Sequence, residues 1–152
     1  MPPSLPEIRR VLVTIDYGET ADRALAWAAA LTIGCSAEML VLHVVEKPMH
    51  FGTFGYSDSP GSPELSEDHA RLETHLRARL SDSGLIVQAL VEAGDPAVKI
   101  REVARRENVD LIVMGTRGKP GLEGLLFSSL TNKVVHHTGC PVLAVPPPFE
   151  NE

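Results

Sequence analysis

Four glycines, Gly115, Gly118, Gly121 and Gly124, recur at every third position in a segment that also holds Arg117 and Lys119. Glycine lets a backbone turn sharply and approach an anion closely, and the two cations can neutralise phosphate charge. Ser128, Ser129 and Thr131 follow at the start of a helical pattern, where free N–H groups and hydroxyls can face phosphate oxygens. From Gly115 to His137 there are three cations, Arg117, Lys119 and Lys133, against the single anion Glu123. This local excess lies in a chain of formal charge −6 and favours a bound polyanion. Glycines between a strand and a helix are equally the residues of an ordinary turn, and neither GxxxxGK(S/T) nor GxGxxG is present. On the residues alone both readings stand.

Asp16 is the second candidate. It directly follows the apolar run Val11 to Ile15, where its carboxylate can accept hydrogen bonds from a base or ribose, or cap the turn into the next helix. Other chemistry-bearing residues point to less. The six histidines form no HxH, HxxxH or HExxH pattern, and the adjacent His136 and His137 lie on different faces of one helix, so no metal site is expected. His43, inside an apolar run, reads as a packed or hydrogen-bonded residue, and Trp27 as core or interface. Cys35 and Cys140, without a CxxC, read as reduced thiols of a cytoplasmic protein. No GxSxG elbow and no Ser-His-Asp or Cys-His grouping of sequence neighbours indicates catalysis. The net charge excludes a broad nucleic-acid surface, and no apolar run approaches membrane-spanning length.

The elements that must position these residues follow from periodicity. The 152 residues, 43% hydrophobic and 22% charged, suit one folded domain spanning 1–152. Val11 to Ile15 predicts a strand. Gly18-Glu19-Thr20 opens an Ala-rich helix to Ile33, with Ala21, Ala24, Leu25, Ala28 and Leu31 on its inner face and Gly34 as its C-cap. Met39 to Val45 is a second strand, and the segment 46–63, rich in Pro, Gly and Ser, is a long flexible loop. Its aromatics from Phe51 to Tyr56 can cover a ligand or partner, or lie on the surface. Glu64 to Ser81 is helical through Leu65, Leu72, Leu76 and Leu80, stopped by Ser83-Gly84. Leu85 to Ala93 is a strand. Asp95 and Pro96 are N-cap and first residue of a helix to about Asn108 whose apolar face is Val98, Ile100, Val103 and Ala104. Val109 to Met114 is a strand, Leu125 to Thr138 a helix capped by Gly139, and Cys140 to Val145 the last strand before three prolines. Alternating strands and helices imply a mostly parallel sheet covered on both faces, with ligands bound beyond the carboxyl ends of its strands.

Val13-Thr14-Ile15-Asp16, Leu42-His43-Val44-Val45, Asp110 to Gly118 and Cys140 to Val145 together resemble the universal stress protein family, over essentially the whole chain. The resemblance implies an α/β, Rossmann-like fold: an open parallel five-stranded sheet in the order 3-2-1-4-5 with helices on both faces. It also implies a homodimer joined through the last strand, Pro141 to Val145. The nucleotide-binding branch of that family carries G-x2-G-x9-G-(S/T). Gly115 and Gly118 match, Ser128 stands where the third glycine belongs, and Ser129 fills the final place. The resemblance places adenine near Thr14, Ile15, Asp16 and Val44. Ribose and phosphates of ATP, with Mg as companion ion, lie along Met114, Gly115, Arg117, Gly118, Ser128, Ser129 and Leu130. The function implied is a dimeric stress-response regulator or sensor that binds ATP. The alternatives are a nucleotide-free dimer acting through protein contacts, which Ser128 favours, and a slow ATPase.

Overall fold

A computed structural model describes residues 1–46, 65–117 and 129–149. The elements are β1 (Arg10–Thr14), α1 (Ala21–Cys35), β2 (Glu38–Glu46), α2 (Ser66–Leu80), β3 (Val87–Gly94), α3 (Pro96–Arg106), β4 (Leu111–Gly115), α4 (Ser129–His137) and β5 (Val142–Val145). The sheet order is β3-β2-β1-β4-β5 with every pair parallel, as the resemblance implied.

Each face of the sheet has its own apolar cluster. Val11, Val13, Ile15, Met39 and Val41 pack beneath α1 and α2. Leu12, Leu40, Leu42, Ile112 and Met114 pack beneath α3 and α4. Strand residues alternate between the faces, so a strand buried on both must be apolar throughout. Val11, Leu12 and Val13 are fully buried for that reason. Each buried side chain of this size contributes about 1.5–3 kcal/mol of transfer free energy.

Several boundaries differ from the sequence expectation. Helix α1 runs through Gly34, and Ser36 is its C-cap at φ 54°, with backbone N–H groups returning to Ile33 and Thr32. Gly34 lies in open space and meets no steric demand for glycine. Val98 is 37% exposed, whereas Ile100, Val103 and Ala104 are buried. Residues two apart on a helix point about 200° away from each other, so Val98 and Ile100 cannot share one face. Trp27 is 48% exposed and not part of the core. Strand β4 begins at Leu111 because the Asp110 carboxylate accepts the backbone N–H groups of Arg9 and Arg10, at 2.8 and 3.0 Å. Strand β5 begins at Val142, after the Cys140 N–H turns back to the Thr138 hydroxyl. Asp95 caps α3 as expected, accepting from the Val98 N–H with Pro96 following. Glu46 ends β2; the rest of the 46–63 loop and Leu125 to Ser128 lie outside the described residues.

Candidate functional site

The order of the strands reverses between β1 and β4, and their carboxyl ends lie side by side, with Val13 opposite Val113. This is the crevice where open parallel sheets bind ligands. Thr14, Ile15 and Asp16 stand at the end of β1, and Met114, Gly115 and Arg117 at the end of β4. Val44 lies on neighbouring β2, and Ser129 and Leu130 open the described part of α4. Val44, Met114 and Leu130 join one apolar cluster on the α3–α4 side of the sheet. Gly118 and Ser128 lie outside the described residues.

The loop after β1 is bonded both to β2 and within itself. The Ile15 N–H donates to the Leu42 carbonyl at 2.9 Å, and His43 Nδ1 lies 2.7 Å from the Ile15 carbonyl, which requires the proton on Nδ1. The polar groups of Ile15 are therefore engaged with β2, and His43 is the hydrogen-bonded residue expected. Asp16 Oδ1 accepts the Gly18 N–H at 2.7 Å, an Asx turn that lets Tyr17 take φ 59°. The turn role of Asp16 is thus observed.

Tyr17 ties this loop to α2. Its ring lies 4.9 Å from that of His43 and 5.0 Å from that of His75, with the Arg71 guanidinium 4.0 Å from its centroid. Burial pushes the Tyr17 phenol above its ordinary value, Arg71 opposes this, and Asp68 adds to it. Nearby, Asp22 Oδ1 accepts from His75 Nε2 at 2.9 Å and pairs with Arg79 Nε at 2.7 Å. Burial would raise the Asp22 carboxyl, but the bonds from Arg79 and His75 prevail and hold it below the usual carboxylate range.

The loop after β4 is held by other elements. The Thr20 hydroxyl donates to the Arg117 carbonyl at 2.8 Å and accepts the Arg117 N–H at 3.1 Å. The Thr116 N–H donates to the Val145 carbonyl at 3.0 Å, and the Thr131 hydroxyl to the Gly115 carbonyl at 3.2 Å. A Cβ on Gly115 would lie 3.0 Å from Thr20 Cβ and 3.2 Å from the Thr20 carbonyl carbon, and closer still to the hydroxyl oxygen. The absent side chain of Gly115 makes room for Thr20. The Arg117 guanidinium, expected to face phosphate, lies 3.5 Å from the exposed Glu19 carboxylate, which offsets part of the local positive charge.

Thr20, Tyr17 and Glu19 escaped the sequence reading. Only the small residue type before α1 hinted at Thr20, and the expectation for such a position is a cap on its own helix. Among the described residues no group of three His, Cys, Asp or Glu could hold a metal ion, and no helix is long and apolar enough to cross a membrane. Cys35 is exposed and Cys140 partly buried, both as free thiols.

An open cavity of about 810 Å³ lies at the opposite end of the sheet, lined in part by Arg101, Arg105, Asp110, His137 and Cys140. It faces the carboxyl ends of α3 and α4, where helix dipoles disfavour anions, so volume alone does not mark a phosphate site.

The model of the universal stress protein family matches residues 7–146. A universal stress protein of Thermus aquaticus is 34% identical, with 90% of this chain and 98% of that protein covered. The solved structure of a Methanocaldococcus jannaschii relative superposes with a TM-score of 0.74 at 25% identity, covering 95% of this chain and 100% of that one. Two more distant structures are similar in fold. A universal stress protein in complex with cAMP has a TM-score of 0.70 at 19% identity, covering 92% and 98%. The Archaeoglobus fulgidus protein in complex with dAMP has a TM-score of 0.63 at 18% identity, covering 92% and 99%.

Proposed function

The chain belongs to the universal stress protein family, and from that premise we propose that it binds an adenine nucleotide, ATP with Mg, where β1 and β4 end side by side. The observation that carries this is the meeting of an apolar cluster, Val44, Met114 and Leu130, with the start of the glycine-rich loop at the point where the strand order reverses. Thr14, Ile15 and Asp16 bound the adenine side, the apolar trio flanks the ring, and Gly115, Arg117, Gly118, Ser128 and Ser129 follow the phosphates. The cAMP and dAMP complexes of structural relatives support an adenine ligand in this fold.

In this reading the protein is a cytoplasmic dimer that senses or regulates rather than turning substrate over. Strand β5 pairs only with β4 among the described strands, so its outer edge can take the same strand of a second copy. Sedimentation at micromolar concentration is expected to give a dimer; a monomer would remove that part of the proposal.

Mass spectrometry of freshly purified, denatured protein should release an adenine nucleotide, and calorimetry should register Mg-ATP binding to the stripped protein. If neither occurs, the nucleotide-free reading, to which Ser128 points, replaces this one. Phosphate release above background would instead favour a slow ATPase.

A further inference from the structure

We infer that Thr20 is a positioning residue for the proposed nucleotide site, clamping the loop after β4 to the corner that follows β1. The inference rests on the nucleotide reading for its consequence and on geometry alone for the clamp.

Thr20 occupies the N-cap position of α1, where a threonine hydroxyl ordinarily accepts an N–H from the first turn and adds about 1 kcal/mol. Its side chain makes no such bond. The hydroxyl has one proton to give and lone pairs to receive, and it uses both functions on the main chain of Arg117, a residue 97 positions away. Thr20 is 1% exposed, so water does not compete for either bond. Two bonds to one residue fix the direction of its peptide groups as well as its distance.

The surroundings agree with that role. Gly115 lacks the side chain that would push Thr20 away, and its carbonyl accepts from Thr131 on α4. The β1–α1 corner, the end of β4 and the first turns of α4 are therefore joined through four residues, Thr20, Arg117, Gly115 and Thr131. A ligand with its base against β1 and its phosphates along the β4 loop must bridge both. It binds tightly only if their separation is set beforehand, because ordering a loose loop would subtract from the binding free energy. Thr20 sets that separation without touching the ligand.

The test compares Thr20→Val, which keeps the branched shape and loses the hydroxyl, with Thr20→Ser, which keeps the hydroxyl. In the ligand-free proteins, exchange of the Arg117 amide hydrogen should be slow in wild type and Thr20→Ser and at least tenfold faster in Thr20→Val. Calorimetry with Mg-ATP should show about tenfold weaker binding in Thr20→Val, as expected for loss of a buried hydrogen-bond partner. Rescue to within about threefold of wild type is expected in Thr20→Ser. If Thr20→Val gives no cooperative thermal melt, Thr20→Ala takes its place with the same expectations. Equal Arg117 exchange in all variants would overturn the clamp. Wild-type binding of Mg-ATP with equal affinity in the hydroxyl-free variant would overturn its role in the site. Failure of the wild type to bind Mg-ATP refutes the nucleotide reading instead, and the exchange comparison still decides the clamp.

Discussion

Where β1 ends, the chain makes a turn from its own residues: Asp16 accepts the N–H of Gly18 two positions on, and Tyr17 takes the left-handed conformation between them. Where neighbouring β4 ends, the chain relies on distant residues: Thr20 holds Arg117, Val145 holds Thr116 and Thr131 holds Gly115. The Asp16–Gly18 bond can form as soon as those few residues meet, whereas the contacts of Ile15 and Tyr17 need β2 and α2 in place. The bonds of Gly115, Thr116 and Arg117 at the start of the second loop need α1, β5 and α4 in place. A local bond persists when distant elements change, whereas distant bonds make Gly115 to Arg117 sensitive to changes in α1, β5 and α4.

The strongest way to break this contrast is Gly115→Val. A branched side chain there collides with Thr20 side chain and backbone, which cannot move aside without disturbing α1. A loss of about 1–3 kcal/mol in denaturant unfolding is expected, as for overpacking, together with loss of nucleotide binding. Stability within error of wild type would show that the second loop is not packed against the first.

Asp16 probes the self-contained side. Asp16→Ala should cost about 1 kcal/mol through the lost turn bond, while Asp16→Asn, whose side-chain carbonyl can form the same turn, should melt close to wild type. A drop in Mg-ATP affinity in Asp16→Asn alone would assign the carboxylate charge to the ligand, beyond its turn role.

Asp22 extends the comparison to the acid limb of stability. Its carboxyl is held below the ordinary range, so its contribution is present above the ordinary carboxylate value of the unfolded chain and is lost as pH falls through the lowered folded value. Urea midpoints should therefore show Asp22→Asn less stable than wild type at neutral pH, with the gap closing below about pH 4. A gap that stays constant with pH would mean that the stabilisation does not depend on the charge of the Asp22 carboxylate. The smallest effect is expected at Cys35, which is exposed and remote in sequence from both loops. Alkylation there should precede that of Cys140, whose thiol is pushed up by burial first and by Asp110 second, against a lowering backbone bond from Ile112. It should change stability by no more than about 0.5 kcal/mol. Loss of nucleotide binding on alkylating Cys35 alone would contradict the placement of the site.

What the chain pattern revealed divides along the same line. The Ala-rich periodicity of α1 and the Asp95-Pro96 start of α3 are local signals, and the structure reproduces both. The strand order came from resemblance, because periodicity carries no information about which strands are neighbours. Ser36 in place of Gly34 as the α1 cap shows that a permissive residue marks where a turn is cheap, not where the hydrogen bonds end the helix. Thr20 was not legible because its partner stands 97 positions away in the loop after β4, and a hydroxyl's choice between its own helix and a distant carbonyl depends on packing that sequence spacing does not encode.

Hydrogen exchange of the wild-type protein with and without Mg-ATP tests the nucleotide site most directly. The expected result is slowed exchange at the backbone amides of Asp16 to Gly18, Gly115 to Arg117 and Ser129 to Leu130, with the cavity around Arg101, Arg105 and His137 unchanged. No slowing at the ends of β1 and β4, or slowing confined to that cavity, would contradict it.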